Sequence, residues 1–144
     1  GSPAVAGGRG YFATSDSSLV HAVDAASGQP VWQQPSAAYL FASPALAGDT
    51  LVLGVLNGTL EARDAATGAL RWDWRTEASL ANEGWVLNAE RRFNSGWLYP
   101  SAWREKTAVG VARQDSVGSI YSSPLVAGGV VYVGSADGRL YAIE

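Results

Sequence analysis

The feature that most constrains this chain is a repeat. Ser2-Pro3-Ala4-Val5-Ala6-Gly7-Gly8 returns as Ser43-Pro44-Ala45-Leu46-Ala47-Gly48-Asp49 and again as Ser123-Pro124-Leu125-Val126-Ala127-Gly128-Gly129. The starts lie 41 and then 80 residues apart. These are one and two lengths of a unit of about 40 residues, which is the length of a four-stranded propeller blade. A unit this small cannot bury its apolar surface alone, so copies must stack on one another.

Each clear unit reads as a strand, a glycine turn, a second strand, a polar turn, a third strand, and a loop into a fourth. In the second unit the strands are expected at 42–47, 50–56, 60–64 and 70–74. Asn57-Gly58 between two β-rich runs predicts a type I′ hairpin turn, which needs positive φ at both residues. Asp137-Gly138 and the polar run Ser15-Asp16-Ser17-Ser18 occupy the matching place in the last and first units. The second strands, Tyr11-Phe12-Ala13-Thr14 and Val131-Tyr132-Val133-Gly134, do not alternate apolar with polar residues, as expected when both faces of a sheet are covered. The fold class is therefore all-β, built of β-propeller blades that are four-stranded antiparallel sheets, about three to four in number.

Blades are expected at 2–35, 36–77, 78–118 and 119–144, the last without its fourth strand. The third of these has no Ser-Pro start. Trp85-Val86-Leu87, Gly96-Trp97-Leu98-Tyr99 and Ala108-Val109-Gly110-Val111 nevertheless fall near strand positions. A degenerate blade is the preferred reading of 78–118, with a structured insertion as the alternative.

The corner between third and fourth strands carries a second, sharper signature. Ala22-Val23-Asp24-Ala25-Ala26-Ser27-Gly28-Gln29-Pro30-Val31-Trp32 and Ala62-Arg63-Asp64-Ala65-Ala66-Thr67-Gly68-Ala69-Leu70-Arg71-Trp72 share one pattern. Asp24 and Asp64 can accept hydrogen bonds from the turn directly after them, and Gly28 and Gly68 supply a backbone conformation costly to other residues. The last unit begins the same pattern with Ala142-Ile143-Glu144. The pattern resembles the tryptophan-docking motif of the pyrroloquinoline-quinone-like (quinoprotein) β-propeller repeat family, which is similar to the bacterial outer-membrane assembly propeller lipoprotein. The resemblance implies that Trp32 and Trp72 dock between neighbouring blades, with Ala22, Asp24, Gly28, Ala62, Asp64, Thr67 and Gly68 as structural parts of the corner. It also implies an extracytoplasmic location, periplasmic or secreted.

Several members of that family are dehydrogenases holding pyrroloquinoline quinone and calcium. This chain has no cysteine, so the adjacent-cysteine disulfide typical of the alcohol-oxidising branch cannot form, and no set of Glu, Asn and Asp matches the family's calcium ligands. No cofactor, metal or catalytic residue is expected. His21 is the only histidine and reads as a strand residue, and phosphate-loop, dinucleotide and nucleophile-elbow motifs are absent. A net charge of −3 without a basic cluster argues against nucleic acid, and no run of about 20 apolar residues predicts a membrane span. Asn57-Gly58-Thr59 fits a glycosylation acceptor but is better explained by the turn.

The expected function is accordingly that of a non-enzymatic scaffold binding protein or peptide partners. A fragment or regulatory module of a larger protein, such as a quinoprotein dehydrogenase, is the alternative. Trp85, Trp97, Tyr99 and Trp103, with Arg104 beside them, have the composition of binding hot spots and are the candidate partner-binding residues. Since an open propeller exposes two sheet faces, closure is expected from a homodimer completing an eight-bladed ring or from the remainder of a longer chain.

Overall fold

Three antiparallel sheets succeed one another in the computed structural model, which describes residues 1–98 and 103–144. The first contains β1 (Ala4–Ala6), β2 (Arg9–Thr14), β3 (Leu19–Asp24) and β4 (Pro30–Pro35). The second contains β5 (Ala45–Ala47), β6 (Thr50–Gly54), β7 (Thr59–Asp64) and β8 (Leu70–Arg75), and the third β9 (Leu125–Ala127), β10 (Val130–Gly134) and β11 (Leu140–Ile143). In each sheet the strands pair in sequence order as an up-and-down meander, the arrangement of a propeller blade. The chain is thus a partial β-propeller with three blades among the described residues.

The sheets meet along their first strands, where β1 neighbours β5 and β5 neighbours β9. The Ser-Pro starts explain this seam. The backbone N–H of Ser2 donates to Ser43 Oγ at 2.6 Å, and that of Ser43 donates to Ser123 Oγ at 3.0 Å. Each serine hydroxyl therefore receives the preceding blade, and the rung repeats with the sequence.

The second sheet is buried on both faces. Leu51, Leu53 and Val55 join Tyr11, Val20, Ala22 and Leu40 in one core, while Val52 and Leu60 join Ile120, Val131 and Val133 in another. Alternation along β6 thus sends successive side chains into two different cores, which is why its sequence is apolar throughout. At Gly54 the two sheets approach closely, since a Cβ there would lie 2.4 Å from Ile120 Cγ2.

The tip of the second blade differs from the expected type I′ turn. Only Gly58 has positive φ, at 77°. Gly58 N–H donates to Val55 O and Val55 N–H to Thr59 O, which makes a three-residue loop with a left-handed last residue. Gly138 and Ser18 hold the same place in the other blades, Ser18 with φ 52°.

The described residues of 78–118 form no sheet of their own. Trp85-Val86-Leu87 lies in turns with isolated bridges, Gly96-Trp97-Leu98 falls in α2 (Ser95–Leu98) and Ala108–Val111 in α3 (Trp103–Asp115), preceded by α1 (Glu77–Ala81). The run Trp103–Asp115 holds Arg, Glu, Lys, Ala and Gln without period-two alternation, which suits a helix. The segment leaves and returns at one point, where Thr76 Oγ1 donates to Val117 O at 2.9 Å and Ser135 Oγ to Gly118 O at 2.9 Å. Seven residues separate Ser36 from Ser43 and 47 separate Thr76 from Ser123, a difference of 40. The excursion thus has the length of a blade without occupying a blade's place, and the third sheet packs directly on the second.

Gly54→Ala should force Ile120 from its position and lower stability by about 1–3 kcal/mol, the usual cost of overpacking a closed core. Denaturant unfolding of the 144-residue chain checks this, and an unchanged midpoint would show that the two sheets are not in close contact there.

Candidate functional site

The corner that carries the family-like motif is built from short-range contacts. Asp24 Oδ1 accepts from the backbone N–H of Ala26 and Ser27 and from Ser27 Oγ, at 3.2, 2.8 and 2.7 Å. Asp64 Oδ1 repeats the set with Ala66, Thr67 and Thr67 Oγ1, at 2.9, 2.9 and 3.0 Å. Gly28 and Gly68 then turn the chain with φ of 71° and 75°. The corner is also tied to the first hairpin of its own blade, because Ala65 N–H donates to Asp49 O at 2.8 Å.

That leaves the Ala65 carbonyl free to accept from outside. Trp32 Nε1, on the outer strand of the first blade, donates to it at 3.0 Å. The indole lies so close over Gly68 that a Cβ there would be 2.6 Å from Trp32 Cε3. Gly68 therefore answers two demands, a left-handed backbone and a flat seat for the ring. Ala22 and Ala62 are fully buried on the strands that lead into the corners.

Trp72 stands differently. It is 39% exposed, and among the described residues its indole N–H has no acceptor. In register with Trp32, its seat would be the corner of the third blade, where Glu144 corresponds to Asp64. Docking between neighbouring blades was expected of both tryptophans; among the described residues Trp32 makes that contact and Trp72 does not.

Arg71 braces the second corner. Its guanidinium donates to both Asp49 oxygens at 2.7 Å and to Asp64 Oδ2 at 2.6 Å. The hydrogen bond from Arg71 holds the Asp49 carboxyl at about 2, below its usual 3.8, and Arg71 first and Thr67 next lower Asp64 as well. Between the first two blades the structure also contains an ion pair that sequence reasoning missed. Glu61 and Arg63, adjacent on one face of β7, are buried and 2.7 Å apart. Ser36 Oγ donates to Glu61, while Arg63 donates to Pro35 O and Gly68 O. A carboxylate two residues from an arginine on a strand was the available signal, since the two share a face.

At the opposite end of the sheets, the β2–β3 turn, the crossover 36–44 and the helical excursion come together. The excursion clasps the second blade's tip: Ser79 Oγ donates to Asn57 O at 2.6 Å and Asn57 Nδ2 to Arg91 O at 3.0 Å. Asn57 is fully buried, so the folded chain offers no glycan acceptor there. Two aromatic residues that sequence reasoning passed over, Phe41 and Tyr121, stand at this end. Each lies two residues before a Ser-Pro start, they are 50% and 43% exposed, and their rings are 6.5 Å apart.

Of the expected partner-binding residues, Trp85 is 56% exposed on a turn. Trp97 lies on α2, and Trp103 and Arg104 open α3, a neighbouring helix. Tyr99 is outside the described residues. A quinone held with calcium does not fit the donor set. Among the described residues no three His, Cys, Asp or Glu side chains gather, and Glu61 and Asp64 are already engaged by Arg63 and by the corner.

The family model for outer membrane protein assembly factor BamB matches residues 16–144. The chain is similar to the curated outer membrane protein assembly factor BamB of Yersinia pestis, with 23% identity over 96% of this chain and 39% of the relative. It is also similar to that of Moranella endobia, with 24% identity over 95% of this chain and 39% of the relative. The crystal structure of BamB from Moraxella catarrhalis matches with a TM-score of 0.61 and 21% identity, over 98% of this chain and 32% of that one. Quinohemoprotein alcohol dehydrogenase from Comamonas testosteroni matches with a TM-score of 0.58 and 23% identity, over 93% and 16%. These structural likenesses show a common fold. The chain spans 39% of the length of the curated relatives.

Trp32→Ala should cost about 2–4 kcal/mol, as for other large aromatic truncations in packed sites. Trp72→Ala should cost less than about 1 kcal/mol in the 144-residue chain, as at other exposed positions. Equal losses in thermal unfolding would contradict the asymmetry. Because Asp49 titrates near 2 when folded and near 3.8 when free, its contribution is present above pH 3.8 and is lost as pH falls toward 2. Arg71→Gln should flatten that part of the plot of Tm against pH, and an unaltered slope would assign the acid sensitivity elsewhere.

Proposed function

Because this chain belongs to the outer membrane protein assembly factor BamB family, we propose that it is part of a propeller that binds protein partners and performs no catalysis, working outside the cytoplasm. The observation that carries this reading is the exposed pair Phe41 and Tyr121. Repeat-equivalent aromatic side chains from two successive blades are held side by side, facing water, at the end where the excursion is clasped. Large exposed rings on a rigid scaffold are the composition of protein-binding surfaces. The curated relatives are named for outer membrane protein assembly, and the same process is proposed here.

The corner motif has a separate and structural role in this reading. Trp32 and Trp72 serve to dock one blade on the next, and Trp72 meets the corner of a further blade. The outward faces of the first and third sheets support this, since Val5, Val31, Leu125 and Leu140 are all exposed on them. Further blades, from a longer chain or a second copy, cover these faces in the proposed assembly.

In a bacterium carrying the full-length protein, loss of the gene should lower the amount of folded outer-membrane β-barrel protein. A photo-crosslinking residue placed at Phe41 or Tyr121 of a complementing copy should capture a discrete protein. Dye-linked dehydrogenase activity on adding pyrroloquinoline quinone and calcium, with β-barrel levels unaffected by the deletion, would reverse the reading in favour of an enzyme.

A further inference from the structure

Two cavities at the clasped end of the sheets adjoin one another. One, of about 310 Å³, lies between Ser17, Ser36, Tyr39, Arg92 and Phe93. The other, of about 410 Å³, lies between Ser15, Asp16, Tyr39, Phe41 and Gln114. They share Tyr39 and divide the turn 15–18 between them, so together they form one elongated groove with an aromatic floor. Tyr39 is held in place by stacking on Phe93, with ring centres 6.2 Å apart and planes 15° apart.

The two cavities carry opposite charges, and neither is neutralised among the described residues. Arg9, Arg63, Arg71, Arg75, Arg91 and Arg139 each donate to a carbonyl or a carboxylate. The guanidinium of Arg92, on the wall of the first cavity, has no partner among the described residues. The carboxylate of Asp16, on the wall of the second, is likewise exposed and unpartnered among them. In a protein of net charge −3, with those six arginines engaged, a cation left open over a cavity is available to an anionic group from outside.

We propose that this groove binds an extended polypeptide segment, with an acidic side chain at Arg92 and an aromatic side chain against Tyr39 and Phe41. The inference rests on the partner-binding reading above and names where and what is bound. A small free anion would use Arg92 alone and leave the aromatic floor, Phe41 and the acidic end without a role. A polypeptide uses all of them, and the opposed charges set its direction. Along an extended chain, side chains two residues apart point the same way at a spacing of about 7 Å. An acidic residue and an aromatic one in that relation can therefore enter the groove together.

The test uses the full-length protein and short acetylated and amidated Gly/Ser peptides carrying an Asp followed two residues later by a Phe. Fluorescence anisotropy should show saturable binding. Arg92→Gln should weaken it about tenfold or more, as expected for loss of a charge-assisted hydrogen bond. Arg92→Glu should transfer the preference to the peptide with Lys in place of Asp, and Phe41→Ala should weaken only peptides that carry the Phe. Both replaced side chains are exposed, so folding should be unaffected, which circular dichroism checks. Affinity indifferent to Arg92→Gln, or displacement of the peptide by inorganic phosphate at equal concentration, would overturn the assignment. If the peptides fail to bind the unaltered protein while crosslinking at Tyr121 still captures a partner, the groove assignment falls and the scaffold reading stands.

Discussion

The stacking of one sheet on the next depends on the contact between Trp32 and the corner at Ala65 and Gly68. The contact joins strands at the outer edge of the fan, far from the serine rungs at the inner seam. With both edges held, the apolar cluster between the first two sheets is closed at a fixed distance. The buried Glu61–Arg63 pair lies in the same interface and satisfies carbonyls there, at Pro35 and Gly68. A buried ion pair of this kind adds little net stability over apolar packing, but leaving either member alone costs several kcal/mol, so it enforces one pairing of sheets.

The second interface is organised from the tip of the second blade. Gly58 accepts Val117 and Ser79 so closely that a Cβ would lie 2.2 Å from Val117 O. Ser119 Oγ donates to Leu56 O in the same region. These contacts bring the chain back beside the strand it left, so that Ile120 enters the core between the second and third sheets. The excursion between Thr76 and Val117 is tied to the stack at the second blade's tip, through Ser79 and Arg91. Its described part covers one end of the sheets and supplies Arg92, Phe93 and Gln114 to the groove. Function is thus proposed where the repeat is interrupted, on loops whose position is set by a rigid sheet.

Legibility from the sequence varied with the range of the contacts. The corner was readable because Asp64 and the groups it binds, Ala66 and Thr67, are two and three residues apart. Cover on both faces was expected of Tyr11–Thr14 and Val131–Gly134, yet it is the middle sheet's β6 that has it, while Tyr132 on the third sheet is exposed. The excursion was misread as a blade, since its length of 40 extra residues imitates the repeat and its apolar triplets imitate strands. The aromatic pair Phe41 and Tyr121 was not legible, although both precede a Ser-Pro start by two residues. Each adjoins a buried apolar residue, Leu40 or Ile120, and spacing alone does not say which of the two faces water. Arg92 could not be distinguished from Arg91 in sequence, and the structure pairs only Arg91 with a carboxylate, that of Asp73.

The sequence by itself determined the unit: its length, its order of strands, the chemistry of its corner and the residue that leaves that corner to meet a neighbour. These depend on φ preferences, on side chains reaching a few residues along the chain, and on the period of apolar positions. Only the tertiary structure decided which sheet succeeds which, that Trp32 finds a seat while Trp72 faces water, and that a helical excursion and two loops enclose a groove. Those outcomes depend on contacts between residues tens of positions apart. Spacing alone cannot choose among such contacts, because closing one long loop rather than another differs little in entropy and is decided by the packing it permits.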